Sequence, residues 1–147
     1  MKCPEPNFGS SRLPRTLVTA YTEARYFVKD GERSHEVRIH RNDEGLSHCL
    51  AEHGVESAAL ITAYNPSSRR RGLFANRYRQ DALERLLASS GSRWLPTLAT
   101  GEGWPAEPGL LLLGADRALG SRVARRYGQN AWVLLARGRP PELVLLR

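Results

Sequence analysis

The sequence predicts an α+β domain: a mixed β-sheet of about six or seven strands with three helices packed on it. Three observations carry this. Short apolar or β-branched runs recur at 58–63, 110–113, 131–136 and 143–146, lengths that suit strands rather than helices. Between the strands lie three stretches with apolar residues at helical spacing, each with stop or start residues at its ends. The order β-β-α-β-α-β-β-α-β-β is that of helices layered on one sheet. A chain of 147 residues suits one domain, taken as 16–147 behind a flexible polar tail at 1–15 that holds Pro4, Pro6, Pro14 and Gly9.

Leu17 to Val28 is rich in β-branched and aromatic residues and reads as strand, broken near Glu23-Ala24. Asp30-Gly31 supplies turn chemistry, and Glu36 to His40 alternates with Val37 and Ile39 on one face, which makes a hairpin. Asn42 or Asp43 caps a helix that runs through His53 and ends at Gly54, with Leu46, Cys49, Leu50 and His53 on its inner face. The unbroken run Ala58 to Ala63 fits a strand covered on both faces. Pro66 ends it, since proline lacks a donor and holds the residue before it extended. A loop with Arg69-Arg70-Arg71-Gly72 leads to a helix over about Ala75 to Ala88.

Trp94 to Thr100 reads as a strand that Pro96 places at an edge. Gly101 to Pro108, with Trp104-Pro105-Ala106-Glu107, reads as a rigid loop, and Leu110 to Leu113 as a short buried strand. Asp116 caps a third helix through about Tyr127, with Leu119, Val123 and Tyr127 inward, and Gly128 stops it. Ala131 to Ala136 and Leu143 to Leu146 are strands joined by a turn at Gly138 to Pro141.

Composition narrows the functional classes. No apolar run approaches the roughly 20 residues of a membrane span, and the N-terminus lacks the apolar core of a signal peptide. A cytoplasmic location and no membrane partner are therefore expected. Cys3 and Cys49 are the two cysteines. They form no redox pair, and two free thiols are expected. The net charge is +7 and the pI about 10.1, which points to an anionic partner. Lysine occurs only at Lys2 and Lys29, the other basic residues being arginine. Compositional bias therefore stands beside phosphate binding as a reading of the charge.

The ligand-binding candidates are Thr62, Asn65, Asn76, Glu107, Gln129 and Asn130, all at predicted element ends or in loops. Carboxamides and a carboxylate recognise polar ligands by paired hydrogen bonds. The same side chains also close turns and cap helices, and Asn76 is placed as an N-cap. Glu107, beside Trp104, is the candidate for a general acid or base. Arg69, Arg70, Arg71, Arg77 and Arg79 with Tyr78 are the candidate phosphate or nucleic-acid group: arginine forks pair with phosphate and tyrosine stacks on bases. Cys49 and His53 are one helical turn apart, but two further ligands are unaccounted for, so no metal is expected. No dinucleotide, Walker or nucleophile-elbow motif is present, and no cofactor is expected.

Leu60-Ile61-Thr62-Ala63-Tyr64-Asn65-Pro66, Asn76-Arg77, Trp104-Pro105-Ala106-Glu107 and Gly128-Gln129-Asn130-Ala131 occur in that order, with Ala20-Tyr21 and Tyr26 before them. In this the chain resembles the bacterial domain-of-unknown-function family 3293, over about Leu17 to the C-terminus. The resemblance implies a fold unit and no assigned reaction. Three functions stay open: a non-catalytic binding domain for nucleic acid or a nucleotide, the leading one; a small enzyme acting on a polar metabolite through Glu107; and a protein-interaction adaptor. A deep pocket holding Asn65 and Glu107 favours the enzyme, a flat basic face nucleic acid, and an exposed apolar patch the adaptor.

Overall fold

The computed structural model describes residues 12–147. Cys3 and most of the expected tail lie outside the described residues. From Arg15 the chain is helical. The fold is α+β in one domain, and the described residues form four α-helices: α1 (Arg15–Glu23), α2 (Glu44–Glu52), α3 (Leu73–Ser89) and α4 (Arg117–Arg126). The strands are β1 (Arg25–Asp30), β2 (Arg33–Val37), β3 (Ser57–Ile61), β4 (Trp94–Gly101), β5 (Trp104–Leu113), β6 (Ala131–Ala136) and β7 (Glu142–Leu145). They form one sheet in the order β2-β1-β4-β5-β3-β6-β7. Every pairing is antiparallel, so the sheet is not the mixed one expected.

The extra helix is α1, at a place where propensity argues for strand. Thr16, Leu17, Val18 and Thr19 are helical because Pro14, which needs no donor at a helix start, accepts Val18 N–H, while Thr22 Oγ1 donates back to the Val18 carbonyl. Val18 packs with Tyr26 and Leu60, and this burial overrides the local preference. Ala24 then turns extended and starts β1.

β3 is the centre of the molecule. Ala58 and Leu60 face a core covered by α1 and α2, with Val28, Leu50, Leu111 and Val133. Ala59 and Ile61 face a second core with Leu83 and Leu87 of α3, Val123 of α4 and Tyr127 just past its end. All four β3 residues are at most 5 % exposed. An unalternating strand follows from a core on each of its faces, while β5 and β6 pair its backbone on both sides. The sheet curls toward the first core, and His40 N–H reaches the Pro141 carbonyl across the two edges.

The prolines read as edge or loop markers sit inside strands. Pro96 is in β4, which lies between β1 and β5 rather than at an edge. The β1–β4 ladder stops at Thr97, one residue short of it. Gly101 to Pro108 is not a loop but the β4–β5 hairpin: Glu107 pairs with Ala99, and Pro108 with Leu98. β3 ends opposite Leu110, so Pro105 and Pro108 lie where β5 has no second neighbour to require their N–H groups. Gly109 sits at that parting. A Cβ there would lie 2.7 Å from the Ile61 carbonyl oxygen and 2.8 Å from Thr97 Oγ1.

Candidate functional site

The chain leaves β3 through a polar corner built on Asn65. Asn65 has φ +46°, and Ser67 and Ser68 also lie at positive φ. Such backbone is costly for residues other than glycine and persists only where its surroundings hold it. The surroundings here are hydrogen bonds. Asn65 N–H donates to Asn76 Oδ1 at 2.9 Å, and Asn76 Nδ2 donates back to Asn65 Oδ1 at 2.9 Å. Arg71 N–H donates to the same Oδ1 at 2.8 Å. Asn65 Nδ2 donates to Glu107 Oε1 at 2.6 Å, and Trp104 Nε1 donates to that oxygen at 2.5 Å. Glu107 Oε2 accepts no hydrogen bond from the described residues.

Asn76 is therefore not an N-cap. α3 starts three residues before it, after Gly72, and Asn76 turns inward to clamp Asn65. Gln129 Nε2 donates to the Tyr64 carbonyl at 3.1 Å, and Thr62 Oγ1 to the Pro108 carbonyl at 2.7 Å. Asn130 Nδ2 donates to Ser68 Oγ at 3.1 Å, next to a short Ser68–Tyr21 hydroxyl contact. The buried Asn130 Oδ1 has no partner among the described residues. The six predicted residues thus surround one corner.

Four of the six, Thr62, Asn65, Glu107 and Gln129, also line a cleft of about 490 Å³ between α1, the β4–β5 hairpin and the first core. Asn76 and Asn130 stand behind it. The floor is apolar, with Leu60, Val133 and Leu143. Among the described residues its charged lining is Glu23, Glu102 and Glu107, without lysine or arginine. Tyr26 also lines it and donates its hydroxyl to the Tyr21 carbonyl at 2.9 Å. Burial, with Tyr21 and Glu107 nearby, pushes this phenol far above its ordinary range. Glu23 and Glu102 carry no sequence signal as site residues, because Leu17 to Val28 reads as strand and Gly101 to Pro108 as loop, whereas they form α1 and the β4–β5 hairpin.

The arginines separate into two groups. Arg69, Arg70, Arg71 and Arg77 are exposed, with Tyr78 among them. Arg79 is turned inward: its Nε donates to the Ala63 carbonyl at 3.1 Å and its Nη2 to the Tyr127 carbonyl at 2.5 Å. It ties α3 to α4 and leaves the phosphate group. Arg70 lies over the Trp104 ring, 5.3 Å from its centroid, and joins the arginine loop to the cleft's rim. Leu73, Phe74 and Tyr78 expose apolar surface beside it.

Away from the cleft, Asp30 comes beside Cys49 and His53. Burial, and then Asp30, pushes the Cys49 thiol up to about 11. Burial also acts to raise the Asp30 carboxyl, but hydrogen bonding and charge from His53, with the thiol's hydrogen bond, leave it below its usual value. No helix among the described residues is long and apolar enough to cross a membrane.

Comparison with curated proteins and with solved structures finds no match. Residues 61–132, a shorter stretch than the resemblance from Leu17 onward implied, carry all six corner residues. That stretch matches the family described as Protein of unknown function (DUF3293), and it is this family that the chain resembles.

Proposed function

We propose that the domain binds a small molecule in this cleft, and that the ligand offers N–H donors or a positive charge to Glu107. One observation carries the reading. In a chain of net charge +7, the described residues that line the cleft include three carboxylates and no lysine or arginine. A volume of about 490 Å³ falls in the range of roughly 300–1,000 Å³ usual for small-molecule sites, as does the mix of apolar floor and few polar groups. Asn65 and Trp104 hold one oxygen of Glu107 and leave the other for a ligand. Should the bound molecule be turned over, that oxygen is the candidate general base.

Isothermal titration with benzamidine and with benzoate, which share size and flatness and differ in charge, tests the reading. Benzamidine is expected to bind at least tenfold more tightly, a difference of about 1.4 kcal/mol, and Glu107→Gln to remove the preference. Equal binding of the two, or a preference that survives Glu107→Gln, contradicts it.

A separate surface supports the anionic partner. Phe74 is 87 % and Tyr78 66 % exposed. They lie four residues apart on α3, hence on one face, among Arg69, Arg70, Arg71 and Arg77. Aromatic faces between arginines suit single-stranded nucleic acid. Anisotropy titrations against RNA, single-stranded DNA and heparin over a salt series test it. Alanines at Arg69 to Arg71 are expected to flatten the log–log salt slope by up to about two units, at about 0.7 per phosphate. Tyr78→Ala should weaken binding at unchanged slope. Equal affinity for all three polymers, unaffected by Tyr78→Ala, leaves only charge attraction.

A further inference from the structure

We propose that Asp30, Cys49 and His53 form a binding site for a divalent transition-metal ion, zinc being the ion that suits their donors. Asp30 ends β1 at the turn into Gly31, which has φ +61°. Cys49 lies on α2, and His53 caps its C-terminus. Four residues apart, these two share a helix face, and the burial of Leu46, Cys49 and Leu50 turns that helix toward the sheet. The sequence alone left Cys49 and His53 short of ligands because the third donor comes from a strand 19 residues before the cysteine.

The spacing is that of a metal site. Asp30 Oδ2 lies 3.1 Å from His53 Nε2 and 3.6 Å from Cys49 Sγ. The three donor atoms all lie within 4.8 Å of one another. Tetrahedral zinc, with bonds of about 2.0–2.3 Å, sets neighbouring donors roughly 3.3–3.7 Å apart. Small side-chain shifts therefore suffice to coordinate an ion. Thiolate, imidazole and carboxylate together favour zinc over calcium or magnesium, which take oxygen donors. The Asp30 and His53 side chains are 22 % and 23 % exposed while Cys49 is buried, so an ion has a path in from one side and a fourth position beside solvent. None of the three residues lines the cleft, and all precede the stretch shared with the family. A bound ion would pin the end of β1 to α2.

Cobalt titration of the reduced full-length protein tests this. The expected result is a thiolate-to-cobalt charge-transfer band that saturates at one equivalent and is displaced by zinc. Cys49→Ser should abolish the band and Cys3→Ser should keep it. Asp30→Asn, nearly isosteric and only partly buried, should weaken cobalt binding at least tenfold with an unchanged circular dichroism spectrum, so a folding defect in the buried Cys49 variant does not decide the matter. No band in the wild type, a band that follows Cys3 rather than Cys49, or unchanged affinity in Asp30→Asn overturns the proposal.

Discussion

Asn65 shows how a single residue can combine backbone and side-chain roles. Asparagine tolerates left-handed backbone better than most residues. Its carboxamide also accepts from Asn76 and Arg71 and donates to Glu107. Asn65→Ala should lower the urea midpoint by the equivalent of roughly 1–3 kcal/mol, from groups left unsatisfied. Asn65→Gly removes the backbone penalty but not the lost bonds, so it should be destabilised too, by less. An alanine variant with the wild-type midpoint would show that the corner bears no load. The importance of Asn65 was legible from its position between an apolar run and Pro66. Its partners were not: Asn76 reads as a helix cap although α3 already starts at Leu73, and Glu107 reads as loop although β5 already starts at Trp104. The inward turn of Arg79 was equally hidden, since an arginine in a basic stretch gives no sign of which carbonyls it will meet.

The helices capped by Asp43 and Asp116 were legible in the sequence, and both aspartates accept the expected backbone bonds, from Leu46 and Leu119. α1 and the β4–β5 hairpin were not, because tertiary burial decided one and an absent neighbour strand permitted prolines in the other. Leu119 was assigned inward and is 37 % exposed. α4 instead packs through Gly120, Val123 and Ala124. Gly120 gives this contact a test. A helical Gly→Ala change ordinarily stabilises by about 1 kcal/mol. Here the new methyl would overlap the Trp132 ring, and the variant is expected to lose about 1–3 kcal/mol instead. A thermal midpoint equal to or above wild type would mean that Trp132 moves freely aside.

Charge differs between two neighbouring surfaces: Arg69, Arg70, Arg71 and Arg77 are exposed on the loop before α3 and on its first turns, while Glu23, Glu102 and Glu107 line the cleft. Net charge was readable in the sequence, but this separation was not, since it depends on how a hairpin and α1 fold over β3. Tyr26, between the cleft and the first core, links the fold to pH. Its folded pKa lies above the ordinary phenol value of 10.0. Its contribution to stability is fully present below about pH 10 and is lost as pH rises from there toward the folded value, because the unfolded state ionises first. Tyr26→Phe should therefore unfold less steeply with pH above about 10, and slopes identical to wild type would remove Tyr26 from the alkaline transition. The central claim, that the corner presents Glu107 to a donor ligand inside the cleft, is tested most directly by the Trp104 indole N–H resonance in ¹⁵N-labelled protein. That proton rests on Glu107. Adding benzamidine is expected to shift it in wild type and leave it still in Glu107→Gln, with the Trp94 indole unmoved in both; a silent Trp104 signal at saturating benzamidine, or an equal shift without the carboxylate, would contradict the account.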